Sequence, residues 1–343
     1  MQPSDIWRAP RLLVLADGLP LAAATEATVI STGGFSADFF RVRAALAGDA
    51  AIWAARTSVA IDVQMALDPF GGFVSLLQGS ADAIGIDPLA GMLTIEGRDL
   101  AAALIEARTQ ETFANQTASD IATLLAGRHN LMPDVQPTTT PVGRYWELEH
   151  DSLTLNTGAR ATTEWDLLAV LAGWEGFDLW VSGTTLHFRA PGTLAPPLVL
   201  SAAATMAGPA DFAALRLDRA LSFAGDIIVT VKSWHSRLGI GCVQSARTER
   251  GAASVQEYVF VVPNLTPDAA ALLAQRRLQE ITGHELLLRA EMPGELMLSP
   301  RMSFQLVGTG TLFDCVWRID EVERRLSMRE GFSQTVRARA QSA

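Results

Sequence analysis

Thr117-Ala-Ser-Asp120-Ile121-Ala-Thr-Leu124-Leu125-Ala126-Gly127 is answered later in the chain by Thr163-Glu-Trp-Asp166-Leu167-Leu-Ala-Val170-Leu171-Ala172-Gly173. Both stretches read T-x-x-D, then an apolar stripe, then L-A-G. Thr117 and Thr163 are placed to accept from the N–H of the third helical residue, and Asp120 and Asp166 favour the positive helix end. Ile121, Leu124 and Leu125 stand at i, i+3 and i+4, as do Leu167, Val170 and Leu171, which gives each helix one apolar side. Gly127 is expected as a left-handed stop. A short helix with its own start and stop, written twice, is a modular building block.

The flanks read as β. Arg11–Leu15, Glu26–Ile30, Phe35–Arg43, Val59–Met65, Phe73–Leu77 and Gly91–Ile95 are short strand-like runs with Gly and Asp turns between them, the mark of a small barrel or sandwich. A helix is expected over Asp99–Ala107. The Pro- and Thr-rich stretch 132–142 reads as an extended connection, and Tyr145–His150 as one strand. Phe177–Val181, Ser182-Gly183 and Thr184–Phe188 form a hairpin. After the Pro-rich stretch 191–215, strands are expected over Leu215–Arg219, Asp226–Trp234 and Glu257–Val262. The clearest helix, 266–283, has Thr266 as cap and Pro267 in its first turn. Four strands follow it, at 285–290, 302–307, 316–322 and 332–338. The fold class is α+β. The expected organisation is a β-barrel-like domain over 1–95, tandem small α+β modules over 96–190, a linker over 191–215 and a second β-barrel-like domain over 216–343.

Composition narrows the function. The 343 residues are 49% hydrophobic and 19% charged, with a net charge of −10, which argues against a broad phosphate-binding surface. So little charge fits a surface partly covered by neighbours, and it equally fits a genome that favours Ala and Gly. Cys242 and Cys315 are too few for a disulfide framework and are expected as reduced thiols. The N-terminus has no basic region leading into an apolar core, so no ordinary signal peptide is expected. No apolar run reaches the roughly 20 residues needed to span a membrane.

Catalytic signatures are missing. His129, His150, His187, His235 and His284 lie far apart, with no HExxH and no paired Cys-His spacing, so no metal site and no cofactor are expected. There is no G-x-S-x-G elbow and no Walker A sequence. Gly308-Thr-Gly310 has no following Lys and reads as a loop. Glu147 and Glu149 share a strand face, and a glycosidase would need two carboxylates about 5 to 9 Å apart across a cleft. Arg324 and Arg325, with Arg318 nearby, make a positive island suited to an intersubunit contact. Trp146 and Trp180 are candidate interface rings, or exposed aromatics for glycan.

Thr94-Ile-Glu-Gly-Arg-Asp99 before an apolar helix resembles the G-R-D/S motif of phage late control protein D and related baseplate hub proteins. Thr112-Phe through Ala122 resembles that family's next step, and Thr163–Leu168, Gly176–Leu179 and Thr185–Phe188 resemble the second. The helix at 266–283, Glu285–Arg289, Pro293-Gly294, Leu298–Met302 and Val307–Gly310 before Phe313-Asp314 follow in the family's order. This chain has Pro300-Arg301 where Pro-Gly is usual. The resemblance covers roughly residues 90 to 340.

The resemblance implies a structural, non-enzymatic hub in the tail of a phage, prophage, gene transfer agent or injection particle, assembled in the bacterial cytoplasm. It implies a homotrimer that joins a sixfold tail tube or distal tail protein to a threefold spike or central fibre. DNA would pass through its channel transiently, and an acidic lumen would repel it. No stable membrane insertion is implied. The rival readings are a cell-wall glycan hydrolase using Glu147 or Glu149 and a carbohydrate-binding tail module.

Overall fold

The computed structural model describes residues 9–46, 50–69, 71–108, 111–139, 141–142, 145–147, 150–154, 162–192, 198–204, 210–235, 239–251 and 254–341. The N-terminal elements are β1 (Arg11–Ala16), β2 (Leu19–Pro20), β3 (Ala24–Thr32), β4 (Phe39–Ala45), α1 (Ala50–Ala54), β5 (Ala60–Ala66), β6 (Val74–Asp87) and β7 (Met92–Asp99). The middle holds α2 (Ala101–Glu106), β8 (Thr112–Ala114), α3 (Ala118–Arg128), β9 (Met132–Val135), β10 (Tyr145–Glu147), β11 (His150–Thr154), α4 (Glu164–Glu175), β12 (Asp178–Ser182) and β13 (Thr185–Arg189). The last part holds β14 (Leu198–Ser201), β15 (Ala214–Arg219), β16 (Asp226–His235), β17 (Ile240–Arg247), β18 (Val255–Val261), α5 (Pro267–Thr282), β19 (Leu286–Pro293), β20 (Ser303–Val307), β21 (Val316–Ser327) and β22 (Gly331–Ala340).

Both flanks enter one sheet. Its strand order is β15-β19-β22-β21-β3-β4-β7-β6-β5-β1-β2, with β20 joined to β21 and β14 parallel to β20. The junction is β3 against β21, antiparallel from Thr32 opposite Glu321 to Glu26 opposite Ser327. Two apolar cores sit on this sheet. One gathers Val14, Val29, Phe40, Val63 and Ile95, and the other Leu288, Phe304, Trp317, Ile319 and Val336. No closed barrel is found among the described residues. β3 is bonded to β4 on one side and β21 on the other, which joins the two flanks.

The two Thr-x-x-Asp copies share one core: Ile121, Ala122 and Leu125 of α3 pack with Trp165, Leu167, Leu168 and Leu171 of α4. They also share a sheet. The order β12-β13-β9 sets β9, which follows the first copy, parallel to β13 of the second. The stretch 132–142 is thus more than a connection. Pro133 is tolerated in β9 because that strand bonds on one side only. Where one strand was expected at 145–150, β10 ends at Glu147 and a second strand, β11, begins at His150; the two pair antiparallel, and β11 pairs in turn with β8.

The helix stops also differ from expectation. Gly127 lies inside α3, and the left-handed residue is Asn130 (φ 56°). In α4 the left-handed residue is Gly176 (φ 71°), whose N–H donates to the Ala172 carbonyl, as does that of Phe177. Glycine serves at Gly176 because a side chain there would strain the backbone.

A separate sheet, β17-β16-β18, is backed by α5. Ile227, Val229 and Val231 face Ala270 and Ala274 of the helix, while Lys232 faces out, following the period-two alternation. β17 escapes a sequence reading because Ile-Gly-Cys-Val-Gln-Ser-Ala-Arg has few strong strand formers. Leu198–Ser201, expected as linker, is a strand because β20 offers it a bonding edge. Among the described residues no helix is long and apolar enough to cross a membrane.

Candidate functional site

The Gly97-Arg98-Asp99 corner ends β7 and begins α2. Period-two alternation sends Leu93, Ile95, Gly97 and Asp99 inward. A side chain at Gly97 would collide with the Ser80 carbonyl and come within 2.7 Å of the Phe40 ring. Arg98 points outward and chelates Asp82 at 2.7 and 2.9 Å while reaching Glu106 at 2.5 Å. Asp99 is 6% exposed. Its Oδ1 accepts from the Ala101 N–H at 3.1 Å, which opens α2, and its own N–H donates to the Asp38 carbonyl at 3.0 Å.

Asp38 and Asp99 are thus joined through their backbones and line one cavity. Burial pushes Asp99 up to about 7, helped by the charge of Asp38. Burial likewise pushes Asp38 up to about 6, against the pull of the Thr32 N–H, which donates to its Oδ1 at 2.8 Å, and of Arg301, Ser31 and Arg324.

Above this pair lies an open cavity of about 610 Å³, walled by Asp38, Asp99, Gln78, Trp180, Arg301 and Arg324 among others. It is the seam between the large sheet and the β12–β13 hairpin. Trp180 is sandwiched there: His187 stacks on it at 4.4 Å, and the Arg301 guanidinium lies 4.5 Å from its ring centroid. His187 is held by Asp134 at 2.6 Å, and that hydrogen bond keeps the Asp134 carboxyl below its ordinary value. Arg301 also donates to the Thr32 carbonyl at 2.7 Å. Nearby, Arg318 grips Asp178 with two 2.8 Å bonds, Trp165 Nε1 donates to the Phe35 carbonyl at 2.8 Å, and Arg276 donates to the Trp174 carbonyl at 2.8 Å.

Arg301 explains the departure from Pro-Gly. Its φ is 72°, the left-handed conformation that glycine adopts freely. The turn keeps the glycine shape although the residue is arginine, and the strain, roughly 1 kcal/mol, accompanies a side chain that spans the seam.

The residues singled out in the sequence are scattered. Thr117 accepts from Asp120 N–H at 3.2 Å, Thr163 from Asp166 N–H at 3.1 Å and Thr266 from Ala269 N–H at 3.3 Å, each at a helix start. Trp180 belongs to the seam. Trp146 lies in β10 opposite Asp151, and its side chain is outside the described residues, as is Glu149. Arg325 pairs with Glu26 at 2.9 Å on the surface. Arg324 is buried, 4% exposed, and donates to the carbonyls of Glu295 and Leu298. Burial lowers its value to about 10. It points inward because it shares its face of β21 with Val322 and Leu326, opposite to Arg325. Among the described residues, no three His, Cys, Asp or Glu side chains are placed to hold a metal, and Cys242 and Cys315 are free.

Asp38 and the Asp178–Arg318 pair escape a motif search, whereas Asp99 and Arg301 stand in motifs that the sequence shows. The signal for Asp99 was present in the alternation from Leu93. The other partners come from distant strands and carry no local signal.

No protein-family model matches the chain, and no curated protein matches it by sequence. Solved structures do. A tail protein from Neisseria meningitidis is 16% identical, with a TM-score of 0.71 over 96% of each chain. The chain has the fold of a phage tail protein. The 43 kDa tail protein of prophage MuSo2 from Shewanella oneidensis is 14% identical, with a TM-score of 0.70 and 96% of each chain covered. The E. coli c3393 protein, a component of the type VI secretion system described as similar to T4 tail proteins gp27 and gp5, is 10% identical, with a TM-score of 0.59 over 96% of this chain and 77% of that one. This tail-protein fold is the one that the Gly97-Arg98-Asp99 corner and the duplicated helices led us to expect.

Proposed function

We propose that this chain is a structural hub subunit of a phage or phage-like tail. Three copies form a ring that joins a sixfold tail tube or distal tail protein to a threefold spike or central fibre, with a channel for DNA. The observation that carries this reading is the end-to-end match to two tail proteins, over 96% of both partners in each case. The subunit works by geometry rather than by chemistry. The two cores of the large sheet supply two lobes per chain, so three chains present six around the axis. The outer face of β17-β16-β18 exposes Trp234, Val243, Val259 and Val261, and among the described residues the sheet ends in two unbonded edges, features that suit a surface covered in an assembly. The particle tail is the site of action, and assembly takes place in the bacterial cytoplasm.

Mass measurement in solution with negative-stain imaging tests the reading. Three times 36.7 kDa gives a ring of about 110 kDa. A clean monomer that neither forms rings nor joins particles would overturn it. A neutral or basic lumen in the imaged ring would overturn the acidic channel.

A further inference from the structure

We propose that the cavity between the β12–β13 hairpin and the large sheet is a docking groove for an extended segment of a partner protein, which adds to the free edge of β12 as a further strand. The inference concerns the isolated chain and does not rest on the hub reading.

The free edge is fixed by hydrogen bonds already in place. The carbonyls of Thr184, just before β13, and of Phe188 within it accept from the Met132 and Gln136 N–H groups on the β9 side. Thr185, His187 and Arg189 therefore turn to β12, where they stand opposite Ser182, Trp180 and Asp178. The same alternation points the N–H and C=O groups of Leu179 and Val181 away from β13, and among the described residues no strand bonds them there.

The facing wall is a strand as well. β6 is bonded to β5 from Val74 onward but meets β7 only from Gly79, so residues 74–78 are bonded on one side. Val181 and Leu77 both line the cavity although their side chains are buried in the cores behind it, which gives the groove a main-chain surface on two sides. The walls are positioned before any segment arrives. Arg318 holds Asp178 at 2.8 Å, Arg301 lies over Trp180, and the hairpin tip at Gly183 lies against the Gln78 side chain. A groove built in advance keeps the ordering cost of docking low.

Charge selects the occupant. Asp38, Asp99 and Asp178 line the cavity together with Arg189, Arg301 and Arg324, so its formal charges cancel. A phosphate chain calls for an excess of arginine, and a polycation for an excess of acid. A peptide main chain is neutral, offers donors and acceptors in alternation, and repeats at the spacing of the β12 edge. The volume of about 610 Å³ admits one extended segment and no folded surface. The five residues of β12 span about 17 Å, which sets the docked length at about five to seven residues.

Selection of random seven-residue displayed peptides against the full chain, followed by fluorescence polarisation with the selected peptides made synthetically, tests the groove. N-methylation at alternate residues is expected to weaken binding about tenfold, with little effect at the residues between, because an added strand uses every second N–H. Ser299→Trp, at an exposed residue of the cavity wall, should block binding and leave the thermal melt unchanged. Val181→Pro removes one N–H of the free edge, where proline is tolerated, and should weaken binding about tenfold. If Val181→Pro does not fold, Ser299→Trp and the methyl series decide. Failure to select any peptide that Ser299→Trp displaces, a uniform response along the methyl series, or selected sequences dominated by one sign of charge overturns the proposal. Self-association of the unaltered chain that Ser299→Trp abolishes overturns the assignment to a partner and gives the groove to a second copy.

Discussion

The two copies of the Thr-x-x-Asp helix begin alike and end as different parts. In α3 the cap is reciprocal: Thr117 accepts from the Asp120 N–H, and Asp120 accepts from the Thr117 N–H at 2.9 Å. In α4, Asp166 bonds instead to Thr162. α3 leaves Leu124 exposed and keeps one buried side, whereas α4 buries Trp165, Leu167, Leu168 and Leu171 and ties its tryptophan to the Phe35 carbonyl. Between them, Glu164 of α4 is buried and held by Arg128 at 3.0 Å and His129 at 2.6 Å at the end of α3. A repeated sequence thus makes two helices that bury the same six positions, filled with small residues in α3 and larger ones in α4, and a buried ionic tie between them. Repetition sets the start of each helix and its buried face, and the side chains on that face set what it touches.

That contrast can be broken experimentally, and the largest effect should come from α4. Leu168→Ala is expected to cost about 3 kcal/mol in urea unfolding, while Leu124→Ala in α3 should fall within about 0.5 kcal/mol of zero. Equal losses would contradict the difference between the buried Leu168 and the exposed Leu124. Glu164→Ala should cost about 2 kcal/mol by leaving Arg128 and His129 without their shared carboxylate. A loss no greater than that of an exposed ion pair would mean that the copies are not tied there.

Next in size is the stop of α4. Gly176→Ala should destabilise by about 1 to 2 kcal/mol, because φ is 71° and the new methyl would come within 2.5 Å of the Arg276 guanidinium carbon. Gly127→Ala and Gly173→Ala, within the helices and facing open space, should instead stabilise by up to about 1 kcal/mol each. Thermal melts of the three variants decide whether the motif glycines are stops or merely tolerated. The smallest effect belongs to the caps: Thr117→Ala and Thr163→Ala should each cost about 1 kcal/mol and should match one another, since each loses one N–H acceptor. A wide gap between them would show that the reciprocal bond of Asp120 carries weight of its own.

Much of the fold was legible because it is local. The caps of α3, α4 and α5, the Phe177–Phe188 hairpin and the alternation of β7 and β16 follow from neighbours in sequence. β17 and β14 were not legible, since β17 has few strong strand formers, β14 is short and follows a Pro-rich stretch, and a partner edge supplies their order. The site was legible only in its first part. Gly97-Arg98-Asp99 stands out as a motif, while Asp38 and Arg301 join it from elsewhere in the chain. Arg324 read as surface because its neighbour Arg325 is surface, and only the face of β21 distinguishes them.

By itself the sequence determined where α3, α4 and α5 start, which faces of β7 and β16 are apolar, and that the middle is built from a repeated unit. Those features depend on torsions and hydrogen bonds within a few residues. The tertiary structure alone decided that β3 bonds to β21 and merges the two flanks, and that Gly176 rather than Gly173 ends α4. It also decided that Asp38, Asp99 and Trp180 line one cavity. Each of these depends on long-range pairing, in which burial and sheet register set what a residue touches and therefore what its charge costs.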